Sequence, residues 1–127
     1  MPLAYTILYV EDVARSLAFY RSAFGLALKL QHEGGDYGEL DTGSTTLAFS
    51  SRRLLAQLGH QAQAPQADAP CFEIAFTTDD VAATLQQALA AGARGVQEPQ
   101  QMPWGQTVAY VADPDGFRVE ICTPIQA

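Results

Sequence analysis

Residues that bind transition metals are scarce in this chain. It has two histidines, His32 and His60, and two cysteines, Cys71 and Cys122, among 127 residues. The cysteines form no CxxC pair or disulfide framework. Both lie in apolar stretches expected to be strands, and they read as buried free thiols of a reducing compartment rather than a disulfide. Basic side chains are also few. Seven Lys and Arg against fourteen Asp and Glu give a net charge of −7, which argues against nucleic acid or an anionic membrane as partner and favours cationic ligands. No apolar run is long enough to cross a bilayer. The first 25 residues lack a basic start, apolar core and small-residue cleavage site, so a cytoplasmic protein is expected. Tryptophan occurs once, at Trp104.

Apolar residues are plentiful, at 48% of the chain, enough for one sizeable core or two small coupled ones. The most informative stretch runs from Trp104 to Pro124. Thr107 to Val111 and Phe117 to Cys122 are rich in β-branched and aromatic residues and read as strands. Asp113-Pro114-Asp115-Gly116 between them is a turn, with proline presetting φ and glycine supplying a positive one. Alternation puts Phe117, Val119 and Ile121 on a core face, and Arg118, Glu120 and Cys122 on the other. Glu120 is thus a mid-strand carboxylate that points either to solvent or into a polar cavity.

From the start, Ala4 to Val10 reads as a strand with Tyr5, Ile7 and Tyr9 on one side. Asp12 is a good N-cap for a helix carrying Val13, Leu17, Tyr20 and Phe24, and Gly25 is its stop. Strands are expected at Leu26–His32, Tyr37–Asp41 and Thr45–Ser50. Arg52 to Leu58 suits a short helix or lid, and Gln61 to Ala69 a linker. The pattern then restarts, with a strand from Cys71 to Thr77 and a helix capped by Asp79 or Asp80 that carries Val81, Leu85 and Leu89. A strand over 93–97 follows, then a Pro/Gln loop over 98–103. Counting supports an internal repeat. Tyr5 and Glu73 each stand seven residues before a capping aspartate, and matching Gly43 with Gly116 sets Leu47 opposite Glu120. Two strand-helix-strand-strand-strand modules are expected, at about 3–50 and 70–124, joined by a linker over about 51–69.

Three segments carry a family resemblance: VEDVARSLAFYRSAFGL, TTDDVAATLQQALAAGA and PWGQTVAYVADPDGFRVEI. In these the chain resembles the vicinal oxygen chelate superfamily of glyoxalases, bleomycin-resistance proteins and extradiol dioxygenases. The resemblance implies an α+β fold of two tandem βαβββ modules, forming a single domain whose mixed, curled sheets surround a cleft. It also implies, often, a homodimer. Metal-dependent members place His, Gln or Glu at positions that fall here on Tyr5, Leu47, Glu73 and Glu120, of which only Glu120 fits the pattern well. No cofactor is therefore expected, and Glu73 with Glu120 is the fallback set for a divalent metal. The resulting expectation is metal-independent binding or sequestration of a small aromatic or cationic compound. Its ligand-binding residues would be Tyr5, Ile7, Leu47, Phe49, Glu73, Trp104, Glu120 and Cys122. The alternative is a lyase, isomerase or dioxygenase, either metal-dependent or using Glu73 and Glu120 as acid and base. No other catalytic residue is assigned, and Cys122 lacks a histidine to activate it. Each position also has a plainer reading: solvated carboxylates, an aromatic core wall, and a tryptophan capping the core.

Overall fold

Alternation and helical spacing translate directly into the elements of the computed structural model, which describes residues 1–125. The chain divides into two compact units, Met1–Ala64 and Pro65–Ala127. In the first, β1 (Tyr5–Val10) leads to α1 (Val13–Phe24), followed by β2 (Ala27–Gln31), β3 (Tyr37–Asp41) and β4 (Thr46–Ser51). Asp12 caps α1 by accepting from the Arg15 backbone N–H at 3.1 Å, and Gly25 ends it at φ 69°. The sheet order is β1-β4-β3-β2, with β1 and β4 parallel and the other pairs antiparallel. One face of this sheet packs on α1. Leu8, Val10, Leu40, Leu47 and Phe49 lie there against Val13, Leu17 and Tyr20, all buried. The helix lies so close that a Cβ on Gly38 would come within 2.7 Å of Leu17 Cδ1. A short helix, α2 (Arg52–Gln57), follows β4 at the start of the expected linker.

The second unit repeats the order: β5 (Glu73–Thr77), α3 (Val81–Ala90), β6 (Arg94–Gln101), β7 (Thr107–Ala112) and β8 (Arg118–Cys122). Its sheet order, β5-β8-β7-β6, is that of the first unit. Asp80, rather than Asp79, caps α3, accepting from the Ala83 N–H at 3.0 Å. The helix buries Val81, Leu85 and Ala88.

Three sequence expectations are corrected. The Pro/Gln loop over 98–103 is for most of its length strand, because β6 continues to Gln101 through Pro99. β6 is the outer strand of its sheet, where a residue without an N–H is tolerated, and its register shifts twice against β7. Cys71 is exposed and precedes β5, so only Cys122 is a buried thiol. The third concerns faces. Phe49 lies fully buried on the helix side, its ring 5.3 Å from that of Tyr20, and not beside Tyr5, Ile7 and Tyr9. Leu47 shares that buried side, opposite Thr6 and Leu40.

Candidate functional site on the helix-free sheet faces

The misplacement of Leu47 has a countable cause. Tyr5 pairs with Thr46 and Glu73 with Arg118, so the register makes Ala48, not Leu47, the counterpart of Glu120. Gly43 stands one residue further from its strand position than Gly116 does from Glu120. A one-residue slip sends a side chain to the opposite face. The sheet of the first unit therefore presents Tyr5, Ile7 and Tyr9 beside Thr46, Ala48 and Ser50, then Tyr37 and Glu39, on the face away from α1. The three β1 residues are exposed. Glu39 is buried and accepts from the Tyr37 hydroxyl at 2.8 Å. Burial, then that hydrogen bond and the Glu39 charge, push the Tyr37 phenol up to about 12, so it remains a donor. Lys29 reaches this face to donate to Thr46 Oγ1 at 3.0 Å. The first unit also has a surface depression of about 450 Å³ lined by Glu11, Asp12, Arg15, Asp36, Ser51 and Arg53 among others. Asp36 is committed there to Ser51 and Arg53, at 2.6 and 2.8 Å.

The second unit carries the denser chemistry. On the face away from α3, one cross-strand row reads Ala75–Glu120–Tyr110–Gln97, and the next reads Glu73–Arg118–Ala112–Arg94. Glu73 and Glu120 are thus diagonal neighbours across β5 and β8, on one face of the sheet. Burial raises the Glu120 pKa first, with the neighbouring Glu73 side chain adding to the shift. The Tyr110 phenol and the Cys122 thiol are raised by burial and by the same two carboxylates. The Arg118 guanidinium lies over the Tyr110 ring at 5.5 Å and donates to the Ala67 carbonyl at 3.2 Å. The Cys122 thiol contacts the Phe76 carbonyl at 3.7 Å, a protonated, buried group.

The Asp113–Gly116 turn holds this face in register. Asp113 Oδ1 accepts from the backbone N–H groups of Asp115, Gly116 and Phe117 at 3.0, 2.9 and 2.8 Å. Gly116 has φ 104°, a conformation few side chains adopt. At the other end of β7, Trp104 stands 66% exposed, which excludes the core-capping reading. Its indole N–H donates to Gln106 Oε1 at 2.7 Å, and Gln106 donates to the Thr123 carbonyl at 2.7 Å. Thr123 is three residues from Glu120 in sequence, so the indole anchor lies roughly 10 Å of strand from the carboxylate.

Of the residues expected from sequence, Glu73, Glu120 and Cys122 share one sheet face of the second unit, and Trp104 stands at the end of that sheet. Tyr5 and Ile7 share a face of the first unit, while Leu47 and Phe49 are core. Tyr110, Arg118, Gln97, Tyr37 and Glu39 were not among the expected site residues. Alternation along Tyr37–Asp41 and Thr107–Ala112 carried the signal for three of them. Gln97 was hidden because β6 is irregular.

Transition-metal ions require several imidazole, thiolate or carboxylate donors around an open position. The register offers two carboxylates in the second unit, and Tyr5 and Ala48 at the corresponding positions of the first. No group of three or more His, Cys, Asp or Glu side chains able to hold an ion occurs among the described residues. This donor set does not fit such a metal.

Two helix-backed, four-stranded sheets of identical order, with polar groups on the helix-free faces, define a duplicated βαβββ protein. Residues 3–121 match the model of the Glyoxalase/Bleomycin resistance protein/Dioxygenase superfamily, and the chain belongs to that superfamily. It is 32% identical to a probable lactoylglutathione lyase of Synechocystis sp., over 95% of this chain and 94% of the relative. A probable lactoylglutathione lyase of Vibrio cholerae is 31% identical, over 98% and 92%. The fold also matches the crystal structure of a glyoxalase-related enzyme from Fulvimarina pelagi. The TM-score is 0.84 at 23% identity, covering 98% of this chain and 88% of that one.

Proposed function

We propose that the protein binds a small aromatic cation, without a metal, on the helix-free face of its second sheet. The observation that carries this reading is the Glu73–Glu120 pair, two carboxyls set diagonally on one sheet face beside the Tyr110 ring. A cation that takes the place of the Glu120 proton offsets the repulsion between the two carboxylates, and an aromatic group adds contact area. Cation–π contact contributes about 0.5–2 kcal/mol and a charge-assisted hydrogen bond about 1.5–3, enough for micromolar binding once apolar ligand surface is also removed from water. The exposed, anchored Trp104 extends the surface for a ligand about 10 Å long. It is also a clean fluorescence reporter, being the only indole. A panel of aromatic cations, each paired with a neutral isostere, tests the reading. Glu120→Gln should weaken the cations about tenfold and leave the neutral compounds alone. Equal binding within each pair, with a silent Glu120→Gln, would show the site to be misassigned.

A second reading is favoured by the similarity to proteins named lactoylglutathione lyase, together with the same carboxyl pair. In it, Glu73 and Glu120 act as base and acid on a bound substrate. Lactoylglutathione formation assayed after chelator treatment, and again with added Zn or Ni, separates the two. Turnover abolished by Glu120→Gln supports the enzyme.

A further inference from the structure

Among the described residues, two buried side-chain nitrogens have no hydrogen-bond partner: Gln97 Nε2 and Arg118 Nε. Both belong to the same sheet face. Gln97 ends the row that contains Glu120 and Tyr110, and Arg118 lies in the neighbouring row beside Glu73. Buried donors nearly always have acceptors, so two orphans on one face are a departure that requires a cause. No acceptor on this face relieves them. Arg118 is fixed at two points, by the Ala67 carbonyl and the Tyr110 ring. Gln97 is different. It sits on the outer strand, between the two register shifts of β6, and is only partly buried as a residue, so its amide can turn outward.

We infer that the ligand carries an acceptor oxygen, a carbonyl or carboxylate, which takes the Gln97 amide N–H while its cationic end meets Glu73 and Glu120. This rests on the proposed cation site and adds a second recognition element to it. Tyr110 separates the two along the row, so the cation and the oxygen lie on either side of one aromatic ring. Neighbouring strands are spaced by about 4.8 Å, which places the two polar ends roughly 10 Å apart or less, depending on how far Gln97 turns. Arg118 contributes positive charge beside the same ring and so favours the carboxylate over the neutral carbonyl.

The test uses three probes with one aromatic ring and one ammonium group: 4-phenylbutylamine, the same amine with a terminal carboxamide on its ring, and the same amine with a carboxylate there. Calorimetry on the whole chain should show the amide binding at least tenfold tighter than the plain amine, and the carboxylate at least as tightly as the amide. Gln97→Leu should cut the amide's advantage over the amine to about twofold. Gln97→Glu keeps the shape but offers an acceptor, and should turn the carboxylate's advantage into a deficit. Oxygen-bearing probes binding no tighter than the amine would overturn the inference while the cation site stands. An advantage that survives both substitutions would overturn it too. Failure of the plain amine to bind, with benzamide as a fourth, neutral probe still bound, would instead remove the cation site and leave the acceptor site.

Discussion

Glu120 shows how one residue couples recognition to stability. Burial beside Glu73 raises its pKa, so the folded chain holds that proton more tightly than the unfolded chain does. The sign follows directly. Its stabilising contribution is complete below the ordinary glutamate range and is lost as pH rises through the raised folded value. Wild-type protein should therefore lose stability over that window, whereas Glu120→Gln, which cannot titrate, should not. Thermal melts at several pH values are expected to show the variant a few degrees more stable at neutral pH. A variant equally stable or weaker at neutral pH would mean that the carboxyl is not under strain from its neighbour. Ligand affinity should run the other way, with cation binding strengthening as pH rises and the proton leaves Glu120. A site that is costly unliganded and useful when occupied is common where function opposes stability.

At the scale of elements, the turn between β7 and β8 and the packing of α1 on β3 make separate demands. Asp113→Ala would strand the Asp115 and Phe117 N–H groups, while the Gly116 N–H keeps the backbone carbonyl of residue 113, and should cost about 2–3 kcal/mol in urea denaturation, whereas Asp113→Asn, which keeps an acceptor, should cost less. Gly38→Ala must push Leu17 away from a 2.7 Å contact, and a loss of about 1–3 kcal/mol is expected by the same measurement. These elements also mark what the sequence made legible. Helices α1 and α3 were readable because apolar spacing, capping aspartates and terminal glycines agree with one another. So was the order of strands. Faces were harder. Matching glycines across the repeat placed Leu47 opposite Glu120, but the loop before β4 is longer by one residue, and Ala48 takes that position instead. Phe49 went astray with it. The continuation of β6 was hidden by Pro99 and the neighbouring glutamines, whose poor strand propensity is overridden by pairing with β7. Orphaned atoms such as Gln97 Nε2 have no signature in sequence at all, because they depend on what three neighbouring strands present.

For the whole molecule, the assembly is the property to measure. Each sheet is open and leaves strand edges unpaired within its unit, and such edges are commonly covered by a second copy. We propose a homodimer, so light scattering at micromolar concentration should give twice the 13.7 kDa chain mass, and a monomer mass would refute it. No helix among the described residues is long and apolar enough to cross a membrane. The net charge of −7 disfavours anionic surfaces and is compatible with cationic ligands.

In the proposed site a cation replaces the proton that burial and the neighbouring Glu73 favour on Glu120, with no metal involved. The most direct measurement is calorimetric titration of chelator-treated protein with an aromatic amine, at a pH near the raised Glu120 value, in buffers of different ionisation enthalpy. The account predicts binding accompanied by release of a substantial fraction of a proton, abolished in Glu120→Gln. Binding that releases no proton, or that appears only when a divalent metal is restored, would contradict it.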